Sequence, residues 1–213
     1  MRLLSSKLIA PLPSPSEVTR TRLQKQIEAA NWPKLVFVRA PAGFGKTTLM
    51  GQYYSRLQTE GIAATWLSLD VNDNDPVRFF TYLAAAFKQI DHATADLSPT
   101  GHSLFDFNAA SGDLVLALTD RMVDYPDRFA LFIDEFEHIH NPEILDRLRQ
   151  VIELLPATAQ LVIGSRELSE IGLARFRARG QLLEIGPTDI QLDRKSTRLN
   201  SSHIQKSRMP SSA

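Results

Sequence analysis

Residues 39–50, RAPAGFGKTTLM, constrain this chain more than any other stretch. They nearly spell the phosphate-binding pattern G-x-x-x-x-G-K-[ST], with Ala40 where the first glycine is usual. An apolar run, KLVFVRA (34–40), precedes the glycines and reads as a buried strand. KTTLMGQYYSRLQTEG follows them and reads as a helix with Gly61 as its C-cap. A strand that turns through glycines into a helix aims backbone N–H groups and a helix N-terminus at one point, which is what a bound anion needs. In this reading Ala40, Pro41, Ala42, Gly43, Phe44 and Gly45 wrap the phosphates, and Thr48 continues the helix mouth. Lys46 reaches the terminal phosphate oxygens, and the Thr47 hydroxyl is a ligand for Mg²⁺. Gly43 and Gly45 let the loop curl, and alanine at position 40 is tolerable if that residue keeps a negative φ. The competing reading, a plain turn before an amphipathic helix, leaves G-x-G-K-T-T between strand and helix to chance.

The rest of the chain alternates in the same way. VTRTRLQKQIEAANW (18–32) has helical spacing through Val18, Leu23 and Ile27. IAATWLSLD (62–70) is a second strand, and Asp75 with Pro76 opens a helix through Ile90. Residues 91–111 read as a loop, and SGDLVLALTDRMVDY (111–125) as a helix. RFALFIDEFE (128–137) is a third strand ending in acids. Asn141-Pro142 caps a helix whose apolar stripe runs Ile144, Leu145, Leu148, Val151, Ile152 and Leu155. AQLVIGSRE is a fourth strand, SEIGLARFRARG a short helix closed by Gly180, and QLLEIG a fifth strand. Strands alternating with helices specify an α/β fold with a parallel sheet covered on both faces, where ligands sit beyond the carboxyl ends of the strands.

Two further groups fall at those ends. Asp134 closes the third strand and is the expected second Mg²⁺ partner, with Glu135 beside it to orient or activate water. Ser165-Arg166 close the fourth strand, where Arg166 is either a γ-phosphate contact or a solvent-facing arginine. DVNDNDP (70–76) resembles the start of a calcium loop, but lacks the sixth-position glycine and has Thr81 where the bidentate glutamate belongs. His138 and His140 lack a zinc-ligand set. Arg175, Arg177 and Arg179 suit the last turn of a helix better than a nucleic-acid surface.

APAGFGKTTL, TWLSLDVNDNDPVRFFTYL, LFIDEFEHIHNPEI, LVIGSRE and LARFRARGQLLEIG, in this order, resemble the ATP-binding module of the large MalT-like transcriptional activators of the LuxR type. These belong to the signal-transducing P-loop ATPases called STAND proteins. The resemblance implies a P-loop NTPase with a five-stranded parallel sheet in the order 5-1-4-3-2, and ATP with Mg²⁺ held by Lys46, Thr47 and Asp134. It places Arg20 or Arg22 near the adenine. It also implies ATP-driven self-association in response to a small-molecule inducer, with hydrolysis resetting the switch. Two positions depart from the family pattern: Glu135 stands where a second aspartate is frequent, and Glu167-Leu168 stand where proline often follows the Ser-Arg pair.

Composition bounds the rest. The chain has 213 residues, 43% hydrophobic, with no cysteine, so disulfides and thiolate metal sites are excluded. Its apolar runs are far shorter than the roughly 20 residues a membrane helix needs, and the start lacks a signal-peptide pattern. The expectation is a cytoplasmic protein. The net charge of zero divides into −5 over residues 1–193 and +5 over residues 194–213. The division expected is an extended lead-in over 1–19, the ATP-binding domain over 20–192, and a disordered basic tail over 193–213 that resembles read-through sequence foreign to the native protein. On that reading the sensor and helix-turn-helix domains are missing, and DNA is reached only through a missing C-terminal domain. A small-molecule kinase is the alternative. It would need an acceptor pocket and usually an arginine-rich lid, and residues 91–111 hold no arginine. A guanine-reading Asn-Lys-x-Asp segment does not occur.

Overall fold

The computed structural model describes residues 3–11, 20–95, 114–167 and 171–190. Five strands form one parallel sheet: β1 (Leu35–Arg39), β2 (Ala63–Ser68), β3 (Phe129–Asp134), β4 (Ala159–Ser165) and β5 (Leu182–Ile185). Their order is β2-β3-β4-β1-β5, all neighbours parallel, which is the expected 5-1-4-3-2 read from the other edge. β3 and β4 are buried along their whole length, as strands covered on both faces must be.

The strand period of two sorts side chains into two cores. Leu35 and Phe37 of β1, with Leu131 and Ile133 of β3, face one core. Helices α3 (Pro76–Ala95), α4 (Leu114–Asp124), α5 (Pro142–Leu154) and α6 (Leu173–Ala178) close it. Val36, Val38, Ala130, Phe132 and Val162 face the other, closed by α1 (Thr21–Ala29) and α2 (Lys46–Thr59). Trp66 stacks on Phe132 at 5.6 Å between ring centroids, with Tyr54 edge-on to both. No helix of the described residues is long and apolar enough to cross a membrane.

The caps read from the sequence are formed. Asp75 Oδ1 accepts from the Arg78 amide at 2.8 Å and Asn141 Oδ1 from the Glu143 amide at 2.9 Å, each ahead of a proline at the first helical position. Gly61 (φ 75°) and Gly180 (φ 66°) follow α2 and α6 in left-handed conformations. Two expectations shift. Residues 91–95 extend α3 rather than entering a loop, and residues 96–111 lie outside the described residues, as do 12–19 and the tail beyond Ile190. Residues Ser5–Leu8, read as extended, form a 3₁₀ turn against β2.

That turn is held by charge. Lys7, only 8% exposed, pairs with Asp70 at 2.7 Å and with Asp73, whose side chain is fully buried. Asp73 also takes Arg78 Nε at 2.8 Å and the Asp70 amide at 2.8 Å, while Asp70 Oδ1 caps the Asn72 amide. Asn74 Oδ1 accepts the amides of His140 and Asn141, tying this corner to the start of α5. The acid-rich DVNDNDP stretch therefore works as a scaffold for β2, α3, α5 and the N-terminal turn. Removing one partner of a buried ion pair leaves the others uncompensated. Asp73→Ala is expected to destabilise the protein by about 3 kcal/mol in urea unfolding; a change under about 0.5 kcal/mol, the size of a surface substitution, would contradict this account.

Candidate nucleotide-binding site

The chain leaves β1 at Ala40, whose amide donates to Ser165 O of β4 at 3.2 Å and whose side chain is fully buried. Ala40 is not among the positive-φ residues, so the missing glycine carries no backbone cost. Gly43 (φ 78°) and Gly45 (φ 83°) take the left-handed turns, which makes the loop from 40 to 45 a compact cradle that opens directly into α2. Lys46 is 8% exposed and its ammonium donates back to Ala40 O at 2.8 Å, so the cation is held across the mouth of its own loop.

Thr47 Oγ1 donates to Asp134 Oδ2 at 2.7 Å, bringing together two residues that are 87 positions apart. Asp134 is 3% exposed. Burial pushes its carboxyl above the usual aspartate range. The Thr47 hydroxyl, the Glu135 amide and the Lys46 ammonium pull it back, and Glu137 pushes it up again. The Glu135 amide donates to Asp134 Oδ1 at 2.9 Å, and Glu135 itself is left-handed, with φ 59°. A non-glycine residue there costs on the order of 1–2 kcal/mol, and in return the chain turns sharply at the strand end into the 3₁₀ turn that follows.

A cavity of about 360 Å³ opens over these groups. Lys46, Thr47, Asp134, Glu135, Glu137 and Arg166 line it together with loop residues Ala42, Gly43, Gly45 and Thr48. The Asp134 carboxylate and the Thr47 hydroxyl are hard oxygen donors of the kind Mg²⁺ takes. No group of three or more metal-ligating side chains occurs among the described residues. A divalent cation here would thus be completed by phosphate and water oxygens, which is the usual Mg²⁺ arrangement. The residues present fit that ion.

Two residues with roles at this site went unread in the sequence. Gly164 lies in β4 beside β3, where a Cβ would fall 2.5 Å from Met50 Sδ and 2.8 Å from Asp134 Oδ1. Its signal was a glycine inside an otherwise apolar strand, which marks a close approach. Glu137 sits in the 3₁₀ turn Phe136–His138 after Glu135 and faces Arg166. Its Oε2 accepts the Arg166 amide at 3.1 Å, and its Oε1 lies 2.6 Å from Arg166 Nε in an ion-pair contact not aligned as a hydrogen bond.

The remaining expected residues fall as follows. Phe44 and Pro41 belong to the loop but not to the cavity lining. Arg20 is 4% exposed and lies behind the loop: its guanidinium donates to Phe44 O at 3.0 Å and Ile190 O at 3.3 Å. It packs against Gly45 so closely that a Cβ there would stand 2.5 Å from its Nη2. The side chain of Arg22 lies outside the described residues. Arg175 and Arg177 pair with Glu153 at 2.8 Å and Glu184 at 2.6 Å.

Because the folded state raises the Asp134 carboxyl, the proton is held more tightly folded than unfolded. The stability linked to that proton is present below the ordinary aspartate range and is lost as pH rises through the raised value. Asp134→Asn is therefore expected to raise the Tm of the metal-free protein at neutral pH by about 2–4 °C per kcal/mol relieved. The same substitution should remove the Mg²⁺ dependence of nucleotide binding. A lower Tm with Mg²⁺ dependence intact would refute this assignment.

Comparison with known proteins agrees with the geometry. The chain is 36% identical over 186 residues to the HTH-type transcriptional regulator MalT of two Klebsiella pneumoniae strains, an alignment covering 86% of this chain and 20% of theirs. The chain thus spans about a fifth of the length of these relatives. Among solved structures, Cdc6p of Pyrobaculum aerophilum matches with a TM-score of 0.51 and 16% identity, over 85% of this chain and 52% of that one, which speaks for the fold alone. The AAA domain family matches residues 32–171. The chain belongs to that family of P-loop ATPase domains, and within it resembles the module of the MalT regulators.

Proposed function

We propose that this chain binds ATP with Mg²⁺ and hydrolyses it slowly, as the nucleotide switch of a larger transcriptional regulator. The observation that carries the reading is the Thr47–Asp134 contact beside Lys46 in one cavity. It supports a triphosphate whose β- and γ-oxygens meet Lys46 and the amides of residues 42–48. Thr47 and Asp134 would hold the cation, with Asp134 acting directly or through water. Bound Mg²⁺ would neutralise charge on the phosphates and polarise them toward attack.

The chain's own groups divide the remaining work. Glu135 lines the cavity on the Asp134 side, where its carboxylate can orient a water for in-line attack and accept its proton. Arg166 lines the same cavity and carries a fixed positive charge suited to the γ-phosphate. Arg20 braces the loop through Phe44 O, which keeps the amide cradle formed before the anion arrives. Beside this brace, Arg20 keeps the place near the adenine that the family resemblance implies for it.

The likeness to MalT supports a switch rather than a metabolic kinase. In this reading the module occupies residues 20–192, and its nucleotide state is read by sensor and DNA-binding segments outside the chain. Self-association in response to a small-molecule inducer, in a cytoplasmic setting, belongs to that whole protein.

Titration calorimetry of the purified chain should show MgATP binding that Lys46→Ala abolishes; unchanged affinity in that variant would remove the phosphate-loop assignment. Glu135→Gln is expected to retain binding while slowing steady-state ATP hydrolysis by about 10²-fold or more. Equal turnover in the two proteins would clear Glu135 of the role.

A further inference from the structure

Arg166 is a half-exposed arginine at a strand end, with its side chain 50% accessible. Such a side chain ordinarily samples many rotamers, and fixing it on a ligand costs about 2 kcal/mol in conformational entropy. Here one residue, Glu137, holds it at one point of the backbone and pairs with one point of the side chain. Glu137 Oε2 takes the Arg166 backbone amide at 3.1 Å, and Oε1 stands 2.6 Å from Nε. The Glu137 side chain is only 10% accessible and is held in the turn that follows the cation-binding aspartate. Both carboxylate oxygens are thus directed at Arg166 and neither at Lys46 or Thr47.

The grip uses the inner end of the guanidinium. Among the described residues, no hydrogen bond engages Nη1 or Nη2 of Arg166. Arg166 and Glu137 both line the cavity that Lys46, Thr47 and Asp134 line. A planar fork with its two outer amino groups unspent is the geometry that takes phosphate oxygens in pairs.

We propose that Glu137 is a positioning residue that pre-sets Arg166 on the terminal phosphate and thereby sets the preference of this site for a nucleoside triphosphate over the diphosphate. This rests on the nucleotide-binding reading above. The carboxylate's own charge would repel phosphate, so its benefit appears only through Arg166. A residue whose effect runs wholly through another should lose that effect when the other is gone.

The test is a double-mutant cycle on the 213-residue chain, read as the ratio of MgADP to MgATP dissociation constants by calorimetry. Glu137→Ala and Arg166→Ala should each lower that ratio by about tenfold, the scale of one charge-assisted hydrogen bond, while changing MgADP affinity less than about twofold. In the Arg166→Ala background, removing Glu137 should not lower the ratio further; relief of its repulsion leaves the ratio equal or slightly higher. Glu137→Gln, which keeps an acceptor for the Arg166 amide and the shape of the turn, guards against a folding defect and should show a smaller fall in the same direction. An unchanged ratio in both Glu137 variants overturns the proposal. So does a further fall when Glu137→Ala is added to Arg166→Ala. Wild-type protein that binds neither nucleotide overturns the nucleotide-binding reading itself. A wild-type site that binds MgATP through Lys46 with a ratio indifferent to Glu137 overturns only the role of Glu137.

Discussion

One hydrogen bond, Thr47 Oγ1 to Asp134 Oδ2 at 2.7 Å, ties the start of α2 to the end of β3. It matters because it joins a buried carboxylate, 3% exposed, to a hydroxyl at the exposed mouth of the helix. Asp134 is a carboxylate that burial disfavours, kept in place by the Thr47 hydroxyl, the Glu135 amide and the nearby Lys46 ammonium. A charged group desolvated in this way is unfavourable for the empty protein and favourable for a cation, since the missing hydration is what the cation supplies. The strained Glu135 backbone points the same way: conformational energy is spent to hold an acid where a metal and a phosphate chain would meet it.

Sheet order makes that meeting possible. β4 lies between β1 and β3, so the loop after β1 and the aspartate ending β3 face each other across the end of β4. Every group at the site depends on how little β4 puts between them. Gly164 leaves room for the Asp134 carboxylate and Met50, Ser165 O receives the Ala40 amide, and Arg166 comes next along the chain. Two separate cores, one on each face, hold the three strands in register, with fully buried aromatic side chains such as Phe37, Trp66 and Phe132 in them.

The loop, its lysine and threonine, and the partner aspartate were legible because their chemistry is local: glycines where φ turns positive, a cation and a hydroxyl at a helix mouth, an acid at a strand end. Helix caps at Asp75 and Asn141 were legible for the same reason. What stayed hidden involves pairs remote in sequence. Nothing near Lys7 announces that it meets Asp70 and Asp73, so Ser5–Leu8 read as extended chain. Glu137 is three residues from a strand end and 29 from Arg166, and only the turn after Glu135 shows that it points there. Arg20 was picked out by likeness to a family, and its guanidinium also donates to the carbonyls of Phe44 and Ile190. An arginine with five donors can serve a ligand or the backbone, and sequence does not separate the two.

The central claim is that Lys46, Thr47 and Asp134 form one site for a cation-bound triphosphate. It is tested most directly by a crystal structure grown with Mn²⁺ and a non-hydrolysable ATP analogue, with anomalous scattering locating the metal. A peak beside Thr47 Oγ1, bridged to Asp134 directly or by one water, with β- and γ-phosphates against Lys46, is the expected result. Nucleotide seated elsewhere, or a metal peak remote from both Thr47 and Asp134, would contradict it.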